Sequence, residues 1–166
     1  MAKETEKTLK ETGIPENVAE QEYNLLENLL MAAEGNAELT PVRIERNGKY
    51  LFTIHLHAVT ENDKVTARKK ATKYMPNPAG KNLPLIEKDT DNALYRSWLI
   101  FLATSDEDKQ KIWGRKEIKD KYNLMTSAET VDILLKAGEK EALIDVIADL
   151  SGFGDSSVSV EEFAKN

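Results

Sequence analysis

The stretch Pro41–Tyr74, PVRIERNGKYLFTIHLHAVTENDKVTARKKATKY, decides the fold. Its first half alternates apolar and polar residues on either side of Asn47-Gly48. That period belongs to half-buried strands and predicts a β-hairpin, with strands at about residues 41–46 and 49–58. Its second half begins acidic, with Glu61 and Asp63 behind a capping Thr60, and turns basic through Arg68, Lys69, Lys70 and Lys73. This charge order complements a helix dipole and predicts a helix running to about Tyr74. A hairpin leading into a helix makes the fold class mixed α and β.

The hairpin poses a register question. Asn47-Gly48 favours a two-residue turn with both residues at positive φ. That turn pairs Arg46 with Lys49 and sets Arg43 against Phe52, so the apolar row Tyr50, Phe52, Ile54 and Leu56 faces Arg43 and Glu45. A three-residue loop, Arg46-Asn47-Gly48 with Gly48 left-handed, instead pairs Ile44 with Tyr50 and Val42 with Phe52. Register follows the buried face, so the longer loop with a bulge at Gly48 is expected.

Outward from this block the chain reads as helical. Residues 1–19 lack apolar periodicity and are expected to form a mobile arm. Tyr23, Leu26, Leu29, Leu30 and Ala33 predict a helix from about Ala19 to Glu34, stopped by Gly35-Asn36. Met75 to Gly80 opens a loop to about Glu87. A helix from about Asp91 to Thr104 is apolar nearly all round through Leu94, Trp98, Leu99, Phe101 and Leu102, as suits a central element. An acidic turn, Asp106-Glu107-Asp108, leads to Ile112, Trp113 and a short helix near Lys116 to Tyr122. Thr126 or Ser127 starts a helix presenting Ala128, Val131, Leu134 and Leu135, and Gly138 breaks it. Glu139 to Ser151 follows with Ala142, Leu143, Val146, Ile147 and Leu150, ended by Gly152 and Gly154. The expected architecture is a single α+β domain over residues 20–154, mostly helical, with the hairpin packed on a helical bundle and a flexible tail over 155–166.

Composition narrows the function. At 166 residues the chain is long enough to bury about 70% of its unfolded surface without covalent staples. It has no cysteine, which excludes disulfides and thiol catalysis. Its N-terminus is polar, and its longest strongly apolar stretch, Trp98 to Ala103, is too short for a bilayer, so a soluble cytoplasmic protein is expected. A net charge of −6 opposes non-specific nucleic-acid binding, which depends on phosphate neutralisation.

Few residues suggest chemistry. His55 and His57 lie two apart on one strand face, but no third ligand accompanies them at metal spacing. The carboxylates Glu61, Asp63 and Asp106 to Asp108 sit at helix starts, where the dipole accounts for them. Asp89-Thr90-Asp91-Asn92 lacks the glycine and acidic positions of a calcium loop. Gly152-Phe153-Gly154 follows a helix rather than a strand, so it is no phosphate loop. No catalytic residue, metal or cofactor is expected. The run Lys64, Arg68, Lys69, Lys70 and Lys73 offers an alternative, a nucleic-acid-binding helix over 64–73, but with no interleaved aromatic apart from Tyr74 and no nucleic-acid motif a solvated helix face is the preferred reading. Trp98 and Phe101 are expected in the core and Trp113, among Lys111, Gly114 and Arg115, at a partly exposed site.

The order of elements and several short strings resemble a known family. They are Leu56-His57-Ala58-Val59-Thr60, Arg68-Lys69-Lys70-Ala71-Thr72, Tyr95-Arg96-Ser97-Trp98-Leu99, Lys121-Tyr122-Asn123-Leu124 and Asp149-Leu150-Ser151-Gly152-Phe153. Over about residues 20–154 the chain resembles the tail assembly chaperones of contractile-tailed Bacillus prophages, the XkdN-like family. The resemblance implies a non-enzymatic protein that binds the tape measure protein, keeps it soluble and helps recruit tail-tube subunits. A partner surface for amphipathic helices needs apolar residues at helical spacing. Leu134, Leu135, Leu143, Val146, Ile147, Leu150 and Phe153 are the candidates for it.

Overall fold

A computed structural model of the protein describes residues 25–153. The expected arm over 1–19, the start of the first helix and the tail over 155–166 lie outside the described residues. The chain divides into two units, Met1–Ala37 and Glu38–Asn166. In the first, helix α1 spans Leu25–Glu34 and passes into a 3-10 turn at Gly35–Ala37, where the sequence predicts a stop.

The second unit opens with strands β1 (Thr40–Arg46) and β2 (Lys49–Leu56), paired antiparallel. The register conflict is resolved differently from the expectation. Asn47 and Gly48 have φ of 52° and 75°, so the connection is the two-residue turn, with Arg46 opposite Lys49 and Glu45 opposite Tyr50. A bulge at Leu51 then shifts the register, pairing Ile44 with Phe52 and Val42 with Ile54 instead of with Tyr50 and Phe52. The turn keeps the conformation that Asn-Gly favours, and one extra residue on β2 restores the apolar face. Ile44, Ile54 and Leu56 are buried, while Tyr50 and Leu51 remain exposed.

Helix α2 spans Glu61–Ala71. Thr60 Oγ1 accepts the Asp63 N–H at 3.1 Å and Asp63 Oδ2 accepts the Thr60 N–H at 2.9 Å, a reciprocal cap. The helix ends three residues earlier than expected. Thr72–Met75 is strand β3, which pairs antiparallel with β4, Ile86–Thr90, in a second hairpin where the sequence predicts a helix end and a loop. Thr72 is the pivot. Its hydroxyl donates to Arg68 O at 2.7 Å, and it accepts from Thr90 Oγ1 across the ladder at 2.9 Å. Lys73 therefore stands on a strand opposite Asp89, outside the basic helix.

Asp91 caps helix α3, Asn92–Ala103. One turn, α4 (Asp106–Asp108), is capped by Ser105 and continues as a π-helical turn over Lys109–Trp113, closed by the Gly114 N–H on Lys109 O at 2.7 Å. Helix α5 is Lys116–Tyr122 and ends at Asn123, whose φ is 54°. Thr126 caps α6, Ser127–Leu134, in a reciprocal cap with Glu129. The break before α7, Ala137–Leu150, falls at the extended residues Leu135 and Lys136. Gly138 lies in the first turn of α7 and does not make the break.

The core joins the first hairpin to α3, α6 and α7 through Ile54, Leu56, Ile100, Val131, Leu143 and Ile147, with Trp113 at its centre. Burying each such aliphatic side chain contributes roughly 1.5–3 kcal/mol. Trp113 has no exposed surface, contrary to the expectation, and meets Phe52 edge-on at 6.2 Å. Trp98 and Phe101, expected in the core, are half-buried and pack edge-to-face at 5.7 Å. Thr104 links the layers. It pairs with Leu56 as a one-residue extension of the sheet, donates to Ile100 O at 2.6 Å and accepts from Trp113 Nε1 at 2.9 Å.

Candidate functional site

Three regions of the second unit carry the residues that the sequence singles out. The first is the histidine face of β2. His55 Nδ1 lies 2.9 Å from Asp108 Oδ2, and the same oxygen accepts the His55 backbone N–H at 2.7 Å. His57 Nδ1 donates to Ala58 O at 2.8 Å. Burial opposes ionisation of Asp108, but the hydrogen bonds from His55 outweigh it and hold the carboxyl below its usual range. The backbone bonds His57 N to Ala103 O and Ser105 N to His55 O, both 2.8 Å, run alongside. The pair thus fastens β2 to the segment after α3. Among the described residues no cluster of three or more His, Cys, Asp or Glu could hold a metal ion.

The second region is the basic face of α2. Lys64 lies 3.6 Å from Glu61 and its ammonium is 4.6 Å from the Phe153 ring centroid. Lys70 covers the Trp98 ring at 4.5 Å, and Arg68 reaches Glu87 at 4.0 Å. Aromatic faces attract cations, so these side chains have neighbours within the fold. Between α2 and the start of α3 lies a cleft of about 450 Å³ lined by Glu61, Lys64, Val65, Arg68, Asn92 and Tyr95.

The third region is the α6–α7 pair. Leu135, Leu143 and Ile147 are core residues, 4%, 2% and 1% exposed. Leu134, Val146 and Leu150 pack partly buried on that core, and Phe153 is 58% exposed. The pair therefore brings six of its seven apolar candidates onto one packed face and its margin. Leu143 and Val146 join Val42, Ile44 and Ala142 in a shallow groove of about 160 Å³ between β1 and α7, with Arg43 and Glu45 on its rim.

Polar ties that the sequence does not announce fix this groove. Arg46 forms a fork on Glu139, with Nε to Oε1 at 2.6 Å and Nη2 to Oε2 at 2.7 Å, and Nη2 also donates to Leu134 O at 2.7 Å. The Arg46 hydrogen bond, with the Lys136 backbone N–H, pulls the Glu139 carboxyl down to about 2 against the opposing effect of burial. Lys140 is 6% exposed and sends its ammonium to Asp132 Oδ1 at 2.9 Å and Ala93 O at 3.3 Å, tying α7 to α6 and α3. Spacing along the sequence gives no sign of a pair 93 residues apart. The one local signal is that Glu139 stands at the capping position of α7.

None of the described helices is long and apolar enough to cross a membrane. Comparison with known proteins adds a family. No curated protein and no solved structure matches the chain. Residues 26–165, however, match the phage XkdN-like tail assembly chaperone proteins. The match starts within α1 and runs past Gly154, so it takes in most of a tail that lies outside the resemblance read from the sequence. With the family pattern spanning most of its length and the hairpins and helices in order along it, the chain belongs to the phage XkdN-like tail assembly chaperone family.

Proposed function

We propose that the protein is a non-catalytic chaperone of phage tail assembly that binds the tape measure protein in the host cytoplasm. It keeps that protein soluble and helps recruit tail-tube subunits around it. Family membership over residues 26–165 carries this reading. The physical features agree with it. A long helical client presents apolar residues at spacings of three and four, which suit a shallow apolar groove rather than a deep pocket. The groove lined by Leu143 and Val146 offers apolar surface of that kind, Leu134 and Leu150 pack partly buried on the core, and the Phe153 ring, beside Lys64, is exposed. Leu135, Leu143 and Ile147 support it from beneath, since burial leaves them little surface for a partner. A net charge of −6 favours solubility of the loaded complex.

Co-expression tests the proposal. The tape measure protein encoded with this chain is expected to move from the insoluble to the soluble fraction and to co-purify with it. Val146→Glu, at the groove edge, is expected to weaken that association about tenfold or more while the protein itself stays folded. A tape measure protein equally soluble without this chain, and absent from its purified fractions, would overturn the proposal.

A further inference from the structure

The two strands of the first hairpin end differently at their outer edges. β2 passes its far side to the segment after α3, through His57 N to Ala103 O and Ser105 N to His55 O. β1 has no such cover, and among the described residues its strand partner is β2 alone. The backbone groups left over can be assigned. His55 gives its N–H to Asp108 and its carbonyl to Ser105, so Pro41 opposite it exchanges no bonds with β2. Antiparallel pairs alternate, and the bulge lies on β2, so Val42 and Ile44 bond to β2 while Arg43 and Glu45 point their N–H and C=O groups outward.

Native sheets blunt an open edge with lysine, proline or a bulge. Here the bulge is on the other strand, and Pro41 stands near the start of β1. The open stretch carries Arg43 and Glu45, opposite charges two residues apart, with side chains 64% and 47% exposed.

Such a strand is complementary to itself. A two-fold axis pairs each residue i with j and j with i. With the axis at Ile44, two antiparallel β1 strands bring Arg43 of each copy opposite Glu45 of the other, both at outward-bonding positions. Moving the axis to Arg43 sets arginine against arginine and puts Pro41, which has no N–H, opposite Glu45. Moving it to Glu45 sets glutamate against glutamate. Opposite charges across a ladder stabilise it and like charges destabilise it, so charge and Pro41 select the same register. The axis also keeps both α7 helices on one face of the joined sheet. The apolar groove between β1 and α7, with exposed Ala142 and half-buried Val146 in its wall, then borders the axis in each copy. Apolar surface shielded there from water adds to the backbone bonds.

We propose that the protein forms a two-fold dimer through the outer edge of β1, which joins two two-stranded sheets into one of four strands, with Arg43 and Glu45 of each copy paired across the axis. The contact is small and belongs to the weak, reversible class. It does not depend on the chaperone reading, and the failure of either leaves the other standing.

Sedimentation velocity of the full-length protein tests it. The wild type is expected to pass from monomer to dimer between micromolar and millimolar concentration. Arg43→Glu leaves each copy with an acidic edge and Glu45→Arg with a basic one. Each variant alone is expected to self-associate about tenfold more weakly or worse. Mixed in equal amounts, the two are expected to form a mixed dimer, because every pair across the axis is then opposite in charge. Both side chains are exposed, so circular dichroism is expected to stay unchanged. Hydrogen exchange gives a second readout. The Arg43 and Glu45 amides are expected to exchange more slowly as concentration rises, in the wild type and in the mixture but in neither variant alone. A wild type monomeric up to millimolar concentration, a dimer indifferent to both substitutions, variants that stay apart when mixed, or amides whose exchange ignores concentration would each overturn the proposal.

Discussion

Glu139 illustrates how much a single carboxylate contributes when its partner arrives from a distant part of the chain. Its folded pKa is depressed to about 2 from the usual 4.5, chiefly by the fork from Arg46. A depressed carboxylate stabilises the folded state fully above its unfolded pKa and loses that contribution as pH falls toward the folded value. Glu139→Gln is therefore expected to cost about 1–2 kcal/mol at neutral pH. Urea unfolding of wild type and variant should converge as pH drops from about 4.5 toward about 2. A gap that is constant over that range would mean that the ion pair contributes nothing. Asp108 shifts in the same direction, which is why the difference between the proteins, not the acid sensitivity of either, is the informative quantity. Single residues were the least legible scale in the sequence. Trp113 sits among charged neighbours and reads as partly exposed, yet the π-helical turn delivers it inward to Thr104. Trp98 lies in an apolar helix and reads as core, yet it ends half-buried under Lys70. In both cases local composition was outweighed by where neighbouring elements happened to arrive.

Elements were legible where their signals are local. Thr60 caps its helix as expected, while Asp91, expected as the first residue of α3, and Thr126, one of two expected starts of α6, stand as the caps of those helices. The hairpin's turn and apolar face were both readable, but not their reconciliation, because a bulge at Leu51 satisfies both at once. The second hairpin was missed because its strands are four and five residues long and separated by a proline-containing loop. Its register depends on the threonine pair, a contact across the ladder. The apolar stripe along α6 and α7 was legible, whereas which of its residues are buried depends on core elements such as β1 that approach from elsewhere in the chain. The π-helical turn has its own test. A Cβ on Gly114 would stand 2.9 Å from Lys109 O and 3.3 Å from Gln110 O, both backbone atoms that cannot easily yield. Gly114→Ala is expected to cost about 1–3 kcal/mol. Gly138→Ala, with nothing within 4 Å of the new methyl, is expected to raise stability by about 0.4–1 kcal/mol. Thermal unfolding of the two variants in opposite directions is the expected result, and equal shifts would refute the close approach.

For the second unit, two long-range polar ties hold the first hairpin and the segment after it to α7 and its C-cap, Arg46 to Glu139 and Val59 to Ser151. They join residues 93 and 92 apart, while much of the remaining structure is hairpins, caps and neighbouring helices. Local contacts form early in folding and contacts that close long loops form late. Arg46→Ala is accordingly expected to speed unfolding several-fold and to leave the folding rate nearly unchanged in stopped-flow experiments. A matching slowdown of folding would place the clasp in the nucleus instead. The same clasp has a consequence during synthesis. The hairpin emerges from the ribosome some 90 residues ahead of its partner, which at about 5–20 residues per second is a wait of roughly 5–20 s. Through that interval Ile44, Ile54 and Leu56 have no α7 to cover them. A member of a tail assembly chaperone family is itself, while it is being made, a nascent chain with an uncovered face.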